Sequence, residues 1–372
     1  MSADWIAMMT ELGTEFGTRA AAHDGDDSFV AENYARLRAA GAFAAGVPAE
    51  LGGGGASHAT LCAMVRELAH HCGSTALAFA MHSHVVATLA YSWRAGNPAP
   101  EGMLRRVSAE NLVLITSGGS DWLQGSGKLE RVNGGFRMNG RKVFSSGVLA
   151  GDYLMTTGVF DDPQSGPTVY HFPLSLKTEG VRIVDTWRTL GMRGTGSHDI
   201  EIENVFLPEA VMQGVRRPAG KWHPFMHTAA LCALPIIYAA YVGIAEAARA
   251  IALALAARRK DDALVMIAAG ELESQIVAAR ITHESMVALT ATEKPGPETT
   301  NAICVRRTLL GKAVIGAVEK ALELAGGAGF YRSSGLERCF RDVQAARYHP
   351  IPEKAQLRMT GRFLLGLGLD EA

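Results

Sequence analysis

The residues best suited to chemistry here are histidines and hydroxyls set beside glycine or proline. His82 and His84 stand two apart in "AMHSHVVA", and His223 and His227 four apart in "HPFMH". The second spacing puts two imidazoles on one helical face, but no third ligand follows at matching distance, so no metal is assigned. "LITSGGSDW" (114–122) and "RKVFSSGVLAGD" (141–152) each set hydroxyls next to glycine. Glycine lets backbone N–H groups approach a flat ligand, and hydroxyls bond to ring nitrogens. An ordinary hairpin turn uses the same residues. "AARYHPIPEKAQ" (345–356) places His349 ahead of two prolines. Proline fixes φ and biases its predecessor away from the helical region, so the chain must bend there. An imidazole at such a bend either caps a helix end or exchanges protons near neutral pH.

Three segments of different periodicity have to position these groups. Residues 1–112 read as helical: "DSFVAENYARLRAAG" and "ATLCAMVRELAHHCG" are amphipathic and end in glycine, as helix C-termini often do. Residues 113–220 carry short alternating or β-branched runs, such as "HDIEIENVF", separated by Gly, Asn, Asp and Pro. They predict an antiparallel β domain, a small barrel or sandwich. Residues 221–372 return to helix, with Leu310, Val314, Val318 and Leu322 four apart on one face. The expected class is α+β multidomain. Its order, α then β then α, lacks the βαβ alternation of a parallel nucleotide-binding sheet.

Composition narrows the function. A net charge of −1 leaves no basic surplus for a phosphate backbone, which argues against nucleic acid as a partner. Five cysteines, none in C-x-x-C, argue against a disulfide scaffold or structural zinc and fit a reducing cytoplasm. The N-terminus has acidic residues before its first basic one and reads as neither secretory nor transit peptide. "AALCALPIIYAAYVGIA" (229–245) is uncharged and nearly long enough to span a bilayer. Its alanine content, with Glu246 and Arg249 following at once, favours a helix buried in a bundle over a membrane span. P-loop, zincin and G-x-S-x-G signatures are missing.

The order of several degenerate motifs is more specific than any one. "GVPAELGGGGAS", the Thr116–Asp121 segment, "GGFRMNGRKVFSSG", "LGMRGTGSHDIEIENVFLPE", "ALELAGGAGF", "RDVQAARY" and "GRFLLG" follow one another at family spacing. The chain resembles the acyl-CoA dehydrogenase superfamily over nearly its whole length. That resemblance implies a helical N-terminal domain (1–112), a middle β-barrel (113–220) and a C-terminal four-helix bundle (221–372), with FAD between them and a homotetramer or dimer. It implies Ile115, Thr116, Phe144, Ser145 and Ser146 near the flavin ring and Ser120 near flavin and substrate. Glu323, Gly326 and Gly327 would face the adenine end of a neighbouring subunit's FAD. The family usually has Gln at the Glu323 position, and a carboxylate there disfavours a pyrophosphate, so FMN is the alternative.

One departure bears on the reaction. Dehydrogenation of an acyl-CoA needs a carboxylate base for a weakly acidic α-proton. Aligned on the last helix, the family's glutamate falls on Pro350, and the alternative base position falls on Ala233; Glu353 is three residues on. The "R-D-x-Q-A-A-x-x-H-P" run and "VFSSG" resemble the flavin-dependent monooxygenases of the superfamily, which use reduced flavin from a partner reductase with O₂. On that resemblance His349, Ser146 and His82 (or its neighbour His84) are the candidate catalytic groups acting on a small organic substrate. The expected function is a flavin-dependent oxidoreductase of that family acting on an acyl-CoA or similar small organic substrate, with the usual glutamate missing and a flavin reductase or electron-transfer partner; the alternatives are a two-component monooxygenase using reduced flavin and O₂, and a non-catalytic binding protein.

Overall fold

The computed structural model describes residues 4–118 and 121–370. Six helices come first: α1 (Trp5–Gly17), α2 (Ala20–Asp26), α3 (Ala31–Ala39), α4 (His58–His71), α5 (Gly73–Arg94) and α6 (Glu101–Glu110). Asp4 and Ser57 accept from the first-turn N–H groups of α1 and α4, satisfying donors that a helix start leaves free. Helix α5 is buried nearly all round, because it lies between the other helices and the strands that follow.

Among the described residues eight strands form one sheet: β1 (Leu114–Thr116), β2 (Lys128–Val132), β3 (Gly135–Lys142), β4 (Tyr153–Asp162), β5 (Gly166–Ser175), β6 (Val181–Val184), β7 (Asp199–Pro208) and β8 (Arg216–Pro218). Their order is β6-β7-β3-β2-β4-β5-β8, with β1 added to β4. The expected barrel is therefore corrected: β6 and β8 stand at opposite ends unpaired with each other, and the sheet is open. The antiparallel expectation also needs correction, since β1 and β2 both run parallel to β4. The β2–β4 contact spans only Lys128–Val159 and Leu129–Phe160, so two antiparallel wings meet at a short seam. Phe136, Phe160 and Tyr170 fill the space behind it with ring centroids 5.2–6.5 Å apart.

The last five helices are α7 (Pro224–Ala256), α8 (Ala263–Thr292), α9 (Pro297–Ala325), α10 (Leu336–Val343) and α11 (Glu353–Leu364). Helix α7 is long and apolar enough to cross a membrane, yet 89% of its most apolar stretch is buried, against α4, α5, α8 and α9. It thus joins the first helices to the last ones. Glu246, at its buried middle, accepts from Arg66 of α4, His70 of α4 and Arg280 of α8, an ion cluster that ties three helices together.

Candidate active site

Two loops meet at the edge of the sheet. The first leaves β1 at Ser117, whose Oγ lies 3.1 Å from Thr156 Oγ1. The second, Val143–Gly147, follows β3. They pack backbone to backbone: a Cβ on Gly118 would lie 2.4 Å from the Val143 carbonyl oxygen. Lys142 anchors the second loop from inside. It is fully buried, and its Nζ donates to Asp121 Oδ2 (2.7 Å), Ser126 O (2.7 Å) and Thr157 O (2.8 Å). A buried ammonium is tolerable only when paired and hydrogen-bonded in this way.

The loop's own bonds set its hydroxyls. Ser145 N donates to His198 O and Gly147 N to Thr195 O, each at 2.9 Å. Ser146 Oγ is 2.8 Å from Ser197 Oγ, which is 2.6 Å from Thr195 Oγ1. Ser145 Oγ, by contrast, is buried and has no partner among the described residues. Buried hydroxyls are normally satisfied, so an orphan beside a loop of approaching backbones marks a place for a ligand atom. Gly147 has φ +75°, and a Cβ there would lie 2.8 Å from Tyr34 OH, so glycine is required on both counts. Phe144 tilts against Trp187 at 5.1 Å, walling one side.

His349 lies in the break between α10 and α11, against α7 and α9. Its Nε2 is 2.6 Å from Tyr241 OH. Tyr238 OH donates to Ala346 O at 2.7 Å, and Arg307 Nη2 donates to the carbonyls of Ala346, Arg347 and His349 at 3.1, 3.1 and 2.5 Å. Burial, with the Arg307 charge and the His84 ring close by, pushes His349 down to about 3, so its imidazole is neutral at physiological pH. Burial likewise holds His84 down, at about 4.

The sequence-derived residues separate into groups. Phe144, Ser145 and Ser146 lie on the second loop, and Thr116 ends β1, which β4 ties to the same sheet. Ile115 is buried, and its side chain packs toward Gly151. Ser120 lies outside the described residues. His82 is held at both ring nitrogens: Nε2 is 2.7 Å from Phe43 O and Nδ1 accepts from Leu114 N at 3.0 Å. It fastens α5 to the start of β1, and His84, not His82, is the imidazole that acts on His349. Glu323, Gly326 and Gly327 stand at the far end of α9, roughly 24 Å along it from Arg307, and are not brought to His349 within one chain. Glu323 is exposed and paired with Lys320 Nζ at 2.8 Å. Glu353 is likewise taken, by Lys312 at 2.8 Å. Sequence reasoning missed Tyr238, Tyr241 and Arg307.

The family models for "Acyl-CoA dehydrogenase, N-terminal domain" and "Acyl-CoA dehydrogenase, C-terminal domain" match residues 8–99 and 236–353, together more than half of the chain. The chain belongs to the acyl-CoA dehydrogenase family. A putative acyl-CoA dehydrogenase of Bacillus subtilis, YdbM, is 29% identical over 94% of each chain. The amino sugar nitrososynthase DnmZ of Streptomyces peucetius is 30% identical over 85% of this chain and 82% of its own. HsaA of Rhodococcus jostii, named as the oxygenase subunit of a flavin-dependent monooxygenase, is 26% identical over 91% of each. The solved structure of KijD3 in complex with FMN and dTDP-3-amino-2,3,6-trideoxy-4-keto-3-methyl-D-glucose superposes with TM-score 0.89. It is 25% identical and covers all of this chain and 96% of its own.

Proposed function

We propose that this member of the acyl-CoA dehydrogenase family is the oxygenase component of a flavin-dependent monooxygenase. It takes reduced FMN from a partner reductase and oxidises a small organic molecule with O₂. The observation that carries this reading is that Pro350 and Ala233 stand where the resemblance places the usual carboxylate bases, with a neutral His349 beside the first. Among the described residues no carboxylate forms a hydrogen bond or ion pair with His349. The kinship with HsaA and the FMN of KijD3 support the same choice.

The residues present fit a flavin. The orphaned Ser145 Oγ and the close-packed Ser117–Gly118 and Val143–Phe144 backbones offer donors and a flat approach to a ring edge. When bound, the reduced flavin supplies the two electrons for O₂ activation. The protein's part is to hold the ring at Ser145, to keep water out with Phe144 and Trp187, and to take or return a proton at His349. Glu323, Gly326 and Gly327 have no part in binding FMN, which lacks an adenine. Exposed Leu264, Met266, Ile267 and Ile281 on α8, with Leu364 and Leu365 at the end of α11, suit a second copy of the chain, giving a homo-oligomer.

Two measurements on purified protein test the reading. Mixed with reduced FMN and then with aerated buffer, the protein should delay the return of oxidised-FMN absorbance relative to free FMN. In flavin-loaded protein, added acyl-CoAs should leave the flavin spectrum unchanged without oxygen. Bleaching of the flavin by an acyl-CoA would establish the dehydrogenase reading instead.

A further inference from the structure

Arg307 is a buried cation without an anion. It is 2% exposed, and among the described residues it has no carboxylate within ion-pair distance. Its charge is balanced by the carbonyls of Ala346, Arg347 and His349 and by the Tyr238 ring, 5.4 Å from the guanidinium carbon. An isolated buried charge is costly, so a fold that keeps one here uses it. All three carbonyls belong to the segment that carries His349. The ring of that histidine is held separately, by Tyr241 OH at Nε2. Tyr241 is itself fully buried in α7, so its hydroxyl has little freedom to turn elsewhere. Nδ1 of His349 makes no hydrogen bond among the described residues.

We propose that Arg307 and Tyr241 are positioning residues for His349: Arg307 fixes the backbone of its loop and Tyr241 fixes one ring nitrogen and hence the tautomer, leaving Nδ1 to exchange the proton. The use made of that proton rests on the monooxygenase reading; the frame itself does not. Several titratable groups face the ring or its frame. They are His84 from α5, Tyr238 and Tyr241 from α7, and Arg307 from α9, with Asp342 of α10 acting on Tyr241. Burial, with the positive guanidinium adding to it, keeps the ring neutral, and the Tyr241 hydroxyl, as donor to Nε2, puts the ring hydrogen on Nδ1.

The test is histidine ¹⁵N NMR on the flavin-free full chain, with His349→Asn identifying the His349 signals. Wild type should show one neutral tautomer for His349 from pH 8 down to pH 5. Tyr241→Phe should mix the tautomers, and in the loaded enzyme lower kcat with KM little changed. Arg307→Met should raise the titration midpoint of His349 measurably, burial keeping it below the ordinary imidazole value. If Arg307→Met does not fold, Arg307→Lys keeps the charge without the fork. It should leave the midpoint low while amide exchange at 346–349 quickens. A folded Tyr241→Phe protein with an unchanged tautomer overturns the Tyr241 role. An unchanged midpoint in Arg307→Met, or unchanged exchange in Arg307→Lys, overturns the Arg307 role. Because these signals are read without flavin, failure of the monooxygenase assays leaves them standing, and the two ideas fail separately.

Discussion

Asp342 links the helices to the hydroxyl loop through a bond whose strength depends on pH. Its Oδ1 accepts from Met192 N, which holds the turn containing Thr195, and Thr195 supports Ser197 and so Ser146. Burial pushes Asp342 up to about 6. The Met192 N–H opposes that rise, the charge of Asp24 adds to it, and Arg338 and Arg341 oppose it. In an unfolded chain an aspartate titrates near 3.9. The folded value is the higher one, so the stability contributed by the protonated acid is complete below about pH 4. It is lost as pH rises through about 6. The gap of about 2 pH units corresponds to about 3 kcal/mol by pH 7.5. Asp342→Asn keeps an acceptor for Met192 N and cannot ionise. Any cost of its extra N–H₂ is the same at every pH, so the slope carries the test. Urea unfolding from pH 4 to pH 7.5 should show the variant gaining about 2–3 kcal/mol on wild type across that range. Parallel curves over the whole range would refute the assignment of a raised carboxyl to Asp342.

Three further outcomes are expected. Lys142→Met strands Asp121 without its buried cation and should cost about 3–5 kcal/mol in urea unfolding. The added cost should largely vanish in an Asp121→Asn background. Burial alone would raise the Glu246 carboxyl, but hydrogen bonds from His70, Arg66 and Arg280 outweigh it and hold it below the ordinary carboxylate range. Glu246→Gln should therefore be most damaging above about pH 5 and progressively harmless as pH falls below about 4, read by thermal melts across pH. Gly147→Ala, with φ +75° and Tyr34 OH 2.8 Å from the new Cβ, should lose about 1–3 kcal/mol and weaken FMN binding measured by fluorescence quenching.

The helical segments were legible because their apolar periods and terminal glycines act locally. The sheet was legible as strands but not as a shape. Nothing in the three-residue run Leu114–Thr116 announces that it pairs parallel to β4, and closure depends on strands 181–184 and 216–218, which alternation cannot bring together or keep apart. The histidine loop could be found because two prolines force it out of helix. Its frame could not. Tyr238 and Tyr241 sit inside a stretch that reads only as buried helix. Arg307 stands beside Arg306 in "VRRTLLG", where a solvated pair is the ordinary reading. Only the packing of α9 against α7 and the 346–349 segment turns one arginine inward, while Arg306 pairs with Ser285.

The break at His349–Pro350 also explains how a buried arginine without a carboxylate can be stable there. Residues inside a helix spend their carbonyls on N–H groups four positions on. Between α10 and α11 the chain passes through a short 3-10 turn, Gln344–Arg347, and then a non-helical stretch up to Glu353. The carbonyls of 346, 347 and 349 are thereby released from helical bonding at the one place where Arg307 can reach all three. Pro350, having no N–H, leaves the Ala346 carbonyl free for Arg307, and the Arg307 charge adds to burial in keeping the adjoining imidazole uncharged. A carboxylate restored at this bend would compete with those carbonyls for the same guanidinium. For that reason Pro350→Glu alone should leave bound flavin unbleached when acyl-CoAs are added without oxygen, read by absorbance.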